Sequence, residues 1–271
     1  MKKTLFIALI TLLSFVFAFG AACSSDAPTV PLPEPPAPPP AGEEDAELWD
    51  VSDTDVSHIG ENRRLIAFTF DDGPTEKTDD LLDVFKKFNE ENPDFTAHAT
   101  LFTIGSKITA ENAPLLQRAV SMKFELGNHT FTHTNLTTLS DEKVKEELRM
   151  TDEKLKSIDG KSVHLVRPAG GHADSRVLSL YKTTFINWTG ALGTNDFDDS
   201  VTENDVYNTV LSNLLDGGIV LMHQGYDKSV AAVKRLLPDL KAMGYQVVSV
   251  SELIKYYGVK AEIGKLYDSF I

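Results

Sequence analysis

The 271-residue chain contains a single cysteine, Cys23. An intramolecular disulfide, a cysteine-based structural zinc site and a CxxC redox pair are therefore excluded. Cations are also scarce: 26 Lys and Arg stand against 40 Asp and Glu, a formal net charge of −14. Residues 1–60 hold 2 Lys and 9 Asp or Glu, a balance of −7, so residues 61–271 carry the other −7. A body this acidic lacks the clustered Lys and Arg that a nucleic-acid backbone requires, and anionic lipid would repel it. Long apolar runs are missing outside Leu5–Phe19, which excludes a polytopic membrane architecture. No glycine-rich dinucleotide fingerprint follows the first strand-like run, which argues against a nucleotide-binding doubly wound sheet.

What is present begins with an address. Lys2 and Lys3 precede the apolar run, and Gly20, Ala21 and Ala22 follow it. A charged start, an apolar middle and small residues at a cleavage position read as an export signal over residues 1–22. Cys23 comes next and resembles the lipidated first residue of a mature bacterial lipoprotein, although Gly20 stands where such signals usually have Leu. Plain cleavage after Ala22 is the alternative. Both routes place the protein outside the cytoplasm, lipid-anchored to a bacterial membrane or else secreted, with membrane contact only through this terminus. Residues 23–60 read as a Pro-rich and acidic disordered linker. Its Pro31–Pro40 stretch favours polyproline II, and Glu43, Glu44, Asp45, Glu47, Asp50, Asp53 and Asp55 follow. Residues 61–271 are expected to form one domain, as a monomer.

From Leu65 onward, short β-rich runs alternate with amphipathic helical patterns. Strands are expected at Leu65–Phe70, Ala99–Ile104, Phe124–Gly127, Val163–Val166, Thr184–Trp188, Ile219–Met222 and Gln246–Val250. Helices are expected near Thr78–Asn89, Ala110–Met122, Asp141–Ile158, Ser175–Tyr181, Glu203–Leu215, Ser229–Met243 and Ser251–Tyr257. Continuously apolar runs such as Ile219–Met222 suit strands buried on both faces, as in a parallel sheet. The fold class is α/β, a distorted (β/α)7-8 barrel of parallel strands with surrounding helices.

Polar clusters stand just past the strands: Asp71-Asp72-Gly73-Pro74, His129-Thr130-Phe131-Thr132-His133, Arg167-Pro168-Ala169-Gly170-Gly171, Asp196-Phe197-Asp198-Asp199, and His223. Carboxyl ends of parallel strands share one face, so these residues should converge there. Taken singly, Asp-Asp-Gly-Pro is a good turn sequence and a His pair at spacing four is common. Their occurrence in order at successive strand ends is what points to a site. One carboxylate with two imidazoles suits a divalent transition metal such as zinc, and three protein ligands leave a position open. A second carboxylate and a separate histidine would supply proton transfer, so the set reads as metal-assisted hydrolysis.

These motifs resemble the polysaccharide deacetylases of carbohydrate esterase family four, over roughly Leu65 to Tyr257. Thr69-Phe70-Asp71-Asp72-Gly73-Pro74 is similar to the first family motif, Gly127-Asn128-His129-Thr130-Phe131-Thr132-His133 to the second, and Ile219–His223 to the last. The resemblance implies Asp71 as general base, and Asp72, His129 and His133 as ligands of one divalent ion, zinc, with cobalt or another metal as alternatives. It implies His223 as general acid, Arg167 orienting Asp71, Asp196 pairing with His223, and the Gly170 amide serving the oxyanion. Two motifs depart from the pattern. Ala169 and Gly170 replace a proline and an aromatic in the third, and Asp196-Phe197 lies farther beyond Trp188 than in the fourth, leaving Asp198 and Asp199 as alternatives. The implied activity is removal of N-acetyl groups from β-1,4-linked amino-sugar polymers, peptidoglycan N-acetylglucosamine or chito-oligosaccharide. O-deacetylation of xylan or an exopolysaccharide, or glycan binding without turnover, are the other readings. His172 stands near enough to the third motif to line a groove, while His58, His98 and His164 read as structural or exposed.

Overall fold

A computed structural model describes residues 49–270 of the chain. The export signal, Cys23 and the Pro31–Pro40 stretch lie outside the described residues. Packing begins before residue 61: Trp49, Val51 and Val56 lie against a core cluster that contains Ile59. Their apolar side chains are spaced through the acidic stretch, which composition alone reads as unfolded.

Among the described residues, seven strands and seven α-helices follow in near alternation. They are β1 (Arg64–Gly73), α1 (Thr78–Glu91), β2 (Thr100–Thr103), α2 (Ala113–Ser121), β3 (Glu125–Asn128), α3 (Asp141–Asp159), α4 (Ser175–Ser179), β4 (Phe185–Ile186), α5 (Glu203–Ser212), β5 (Gly218–His223), α6 (Asp227–Ala242), β6 (Tyr245–Val248), α7 (Val250–Tyr257) and β7 (Leu266–Tyr267). The main sheet runs β3-β2-β1-β5, and β6 also pairs with β1; every pairing is parallel. Single bridges continue the ring: Asn128 to Val166, Val166 to Phe185, and Gly193 to Leu221. The barrel is therefore distorted, closed through isolated bridges where full strands would otherwise stand.

The Val163–Val166 run accordingly forms no strand. His164 turns away to pair with Asp152 and Asp159, and Pro168 cannot donate to a ladder, so only the two isolated bridges of Val166, to Asn128 and to Phe185, survive. Thr184–Trp188 shortens to β4, which pairs with β7, a two-residue strand too short to show any period. The helices match their patterns more closely. In α3, Val144, Leu148, Thr151, Asp152 and Leu155 are buried along one face, the Ser140 side chain accepts from the Lys143 amide, and Gly160 ends the helix with a left-handed φ of 83°.

Strand alternation divides the core. Ile66, Phe68 and Phe70 of β1 pack outward with Phe85, Leu116 and Leu236, under the helices. Leu65 and Ala67 face the barrel interior with Phe102, Leu165, Ile219 and Val248. A period of two therefore sends Thr69 and Asp71 to the interior as well. In β5, Val220 and Met222 lie in the outer cluster and Ile219 in the inner one, which brings His223 inward.

Candidate metal centre and its acid and base

Register places the first two groups. β1 and β5 pair Asp71 directly opposite His223 at their carboxyl ends. Asp71 is buried, and its Oδ1 accepts a 2.8 Å hydrogen bond from Arg167 Nη1. Arg167 is wholly buried; Nη1 also donates to Thr69 Oγ1 at 2.6 Å, and Nη2 donates to the Asn187 carbonyl at 2.7 Å. Its guanidinium lies 4.2 Å from the Phe102 ring centre. A buried cation costs several kcal/mol unless it is paired and its donors are satisfied, so roughly this whole arrangement is needed to keep Arg167 inside.

Asp72, one residue on, faces the other way and meets both imidazoles. His129 Nε2 is 3.4 Å and His133 Nε2 is 3.2 Å from Asp72 Oδ1. The other His129 nitrogen, Nδ1, lies 2.7 Å from the Arg167 carbonyl. That contact requires a proton on Nδ1 and leaves Nε2 facing the carboxylates of Asp71 and Asp72. The two histidines converge through a loop and not a helix: Thr130 and His133 have φ of 65° and 61°, and Asp72 has 68°. Three non-glycine residues in the left-handed region within one site indicate backbone strain held by the surrounding fold. Asp72 Oδ1 is buried without a hydrogen-bond partner. An orphaned carboxylate oxygen between two imidazole nitrogens fits a divalent transition metal, and these three donors converge closely enough to share one.

Protonation states agree with that fit. Burial raises the Asp72 pKa, but His129, His133 and His223 more than offset it and hold the group at about 2. Burial and the neighbouring His129 push His133 below the usual imidazole range, towards the neutral, ligating form. His223 behaves oppositely. Burial lowers its pKa, but the hydrogen bond and charge of Asp196 outweigh burial and raise it. His223 Nδ1 is 2.6 Å from Asp196 Oδ1, and Asp196 Oδ2 accepts the His223 amide at 2.7 Å and the Ser229 hydroxyl. Asp196 is fully buried, whereas Asp198 and Asp199 are exposed, and Asp198 is engaged with Ser200. The structure thus chooses Asp196 among the three.

Gly170 lies in the exposed loop after Pro168 with φ of 62°, and a Cβ there would meet the His172 ring at 3.0 Å. The half-buried Trp188 packs on the inner cluster while its ring edge fits against Gly171, where a Cβ would lie 3.0 Å away. Phe197 is 54% exposed and stands edge-on to His223, with ring centres 5.6 Å apart.

Glu147 escaped sequence reasoning. From α3 it accepts the Phe131 and Thr132 amides at 2.9 and 2.8 Å and the Thr132 hydroxyl at 2.8 Å, which fixes the loop between the two histidines. One acidic residue in a helix full of charges carries no signal of this. Lys107, whose Nζ donates to the Asp72 carbonyl at 2.7 Å, is equally silent.

The chain is similar to known proteins in sequence and in fold. A model described as polysaccharide deacetylase matches residues 58–186. A bifunctional xylanase/deacetylase of Pseudobutyrivibrio xylanivorans is 33% identical over 205 residues, covering 75% of this chain but only 32% of that protein. The chain thus spans about a third of that longer relative. A peptidoglycan-N-acetylglucosamine deacetylase of Bacillus cereus is 32% identical over 213 residues, covering 73% of this chain and 92% of that one. Among solved structures, a family 4 acetyl xylan esterase from Clostridium thermocellum in complex with cobalt superposes with a TM-score of 0.69 at 25% identity, covering 76% of this chain and 98% of the esterase. At 32% identity over nearly the full length of the Bacillus cereus protein, the chain belongs to the polysaccharide deacetylase family.

Proposed function

We propose that the protein is a metal-dependent deacetylase that removes N-acetyl groups from β-1,4-linked amino-sugar polymers outside the cytoplasm, with peptidoglycan N-acetylglucosamine as substrate. The observation that carries this reading is the placement of an Arg167-held carboxylate, Asp71, opposite an Asp196-held imidazole, His223, beside the Asp72–His129–His133 donor set. Asp72, His129 and His133 would hold the ion; cobalt in the related esterase supports a divalent metal, and zinc suits the same donors. When bound, such an ion supplies Lewis acidity towards the acyl carbonyl and lowers the pKa of water.

The chain's own residues then divide the proton work. Asp71 Oδ2, the oxygen not taken by Arg167 Nη1, accepts a proton from the attacking water. The Gly170 amide donates to the carbonyl oxygen as negative charge develops, worth about 3 kcal/mol for a well-placed donor. His223 uses Nδ1 for Asp196, so Nε2 remains to deliver a proton to the departing amine nitrogen. Asp196 keeps that imidazole charged until the C–N bond breaks. Acetate and a free amino sugar result. Action on O-acetyl groups of xylan is the second reading, supported by the xylan-directed names of two relatives.

Acetate release measured across chito-oligosaccharides, peptidoglycan and acetylated xylan separates these readings. Release from the amino-sugar polymers, abolished by chelator and restored by zinc or cobalt, is expected. Full turnover in excess chelator, or release from xylan alone, would overturn the proposal. Asp71→Asn should lose roughly 10²–10⁴-fold in rate while its metal content stays that of the parent.

A further inference from the structure

A second set of metal-type donors lies at the other end of the barrel. His58 precedes β1, His98 precedes β2, and Glu252 lies in the first turn of α7, whereas Asp71 and Asp72 stand at the far end of β1. His98 Nδ1 is 2.6 Å and His58 Nε2 is 3.5 Å from the same oxygen, Glu252 Oε1. The two imidazoles are 4.3 Å apart between ring centres, and one donor atom from each of the three residues lies within 4.8 Å of the others. His98 and Glu252 are buried, and His58 is mostly so.

Two further observations separate this cluster from an ordinary hydrogen-bonded pair. His58 Nε2 is buried, faces the carboxylate and has no hydrogen-bond partner. A pair of His98 with Glu252 would be complete without it, so the pair alone does not explain why a third nitrogen is turned in and left unsatisfied. Glu252 is also held in place: its Oε2 accepts the Ser249 amide at 2.8 Å, in the capping box that starts α7. A carboxylate oriented by an outer hydrogen bond with its other oxygen facing two imidazoles is the usual form of a ligand group. The cluster opens into a cavity of about 600 Å³ lined by Asp50, Asp53, Asp55 and Glu125 against Lys123 and Lys161, a field that favours a cation.

We propose that His58, His98 and Glu252 form a second binding site for a divalent transition metal, of zinc type, separate from the Asp72–His129–His133 centre. Its ligands come from segments 40 and 154 residues apart in the sequence, so the ion ties residues 49–60 and α7 to the start of β2. The role is structural: the site stabilises this end of the barrel and takes no part in turnover.

The test is zinc content by elemental analysis of the full chain after loading and desalting, with thermal unfolding alongside. His129→Ala, which disables the other centre, is expected to retain one equivalent and to unfold at higher temperature when zinc is added. His58→Ala should hold one equivalent fewer than its parent, with at least a 100-fold loss of zinc affinity at this site and deacetylation unchanged. The double variant should neither retain zinc nor respond to it. His98→Gln, checked for folding by circular dichroism, repeats the measurement should His58→Ala fold poorly. Zinc content unchanged by both substitutions, or a His129→Ala protein that takes up none, overturns the second site. Because each substitution reports on its own equivalent, loss of the first centre's metal would not be mistaken for failure here.

Discussion

Asp71 and Asp72 are adjacent carboxylates with different surroundings. Alternation sends Asp71 into the barrel against a buried guanidinium, while the left-handed backbone at Asp72 turns its oxygen towards two imidazoles. The same residue type thereby stands in two environments, one against a buried cation and one between imidazoles, which suit the two roles proposed for them. His223 shows the same dependence. Its raised pKa depends on Asp196, so Asp196→Asn should lower it. A general acid must carry its proton, so the alkaline limb of the kcat profile should move to lower pH in that variant, as acetate release across a buffer series would show. An unchanged limb would remove His223 from the role. The motif residues were legible because they sit in short runs; the selection of Asp196 over Asp198 and Asp199 was not, since only burial and the Ser229 hydroxyl distinguish them.

Elements deliver these side chains through contacts that sequence patterns do not encode. α3 was readable from its cap, apolar spacing and terminal glycine, yet its contribution to the site is Glu147, a half-buried charge at the edge of that apolar face, one turn from Val144 and Thr151. Glu147→Ala should leave the helix intact and weaken metal binding at Asp72, His129 and His133 by roughly 10–100-fold, the usual cost of losing an outer hydrogen-bonding partner. Metal titration followed by circular dichroism checks both halves. Gly127 in β3 has a similar hidden reason. A Cβ there would come within 2.5 Å of the Phe102 ring, the ring on which the Arg167 guanidinium rests. Strand content is smaller after α3 than the apolar runs around Val166 and Phe185 suggest, because the chain uses Val166 for isolated bridges alone and keeps only Phe185–Ile186 as strand β4.

At the scale of the whole molecule, one buried network joins the closing segment of the barrel to the site. Asp152 accepts from Asn128 Nδ2 at 2.9 Å and from the Tyr181 hydroxyl at 2.7 Å, and lies 2.9 Å from His164 Nδ1; Asp159 lies 3.2 Å from the other His164 nitrogen. Burial lowers the His164 pKa, but the two carboxylates outweigh it and raise the value to about 9. The folded value exceeds the unfolded one, near 6.5, so the pairing contributes fully below about pH 6.5 and is lost as pH rises through about 9. That contribution is up to about 3 kcal/mol. Urea midpoints should therefore fall between pH 7 and 9 in the parent, and that fall should be absent from His164→Gln, whose stability is lower throughout. Among the described residues no helix is long and apolar enough to cross a membrane.

The sequence by itself determined the alternating α/β order, the polar residues that follow the strands and the family motifs, because periodicity, caps and short motifs are local and survive in one dimension. Only the tertiary structure decided how the barrel closes, which aspartate meets His223, that Glu147 fixes the ligand loop and that His58, His98 and Glu252 meet at the opposite end. Each of those depends on groups brought together across tens to hundreds of residues, where position is set by packing and by the pairing of buried polar atoms.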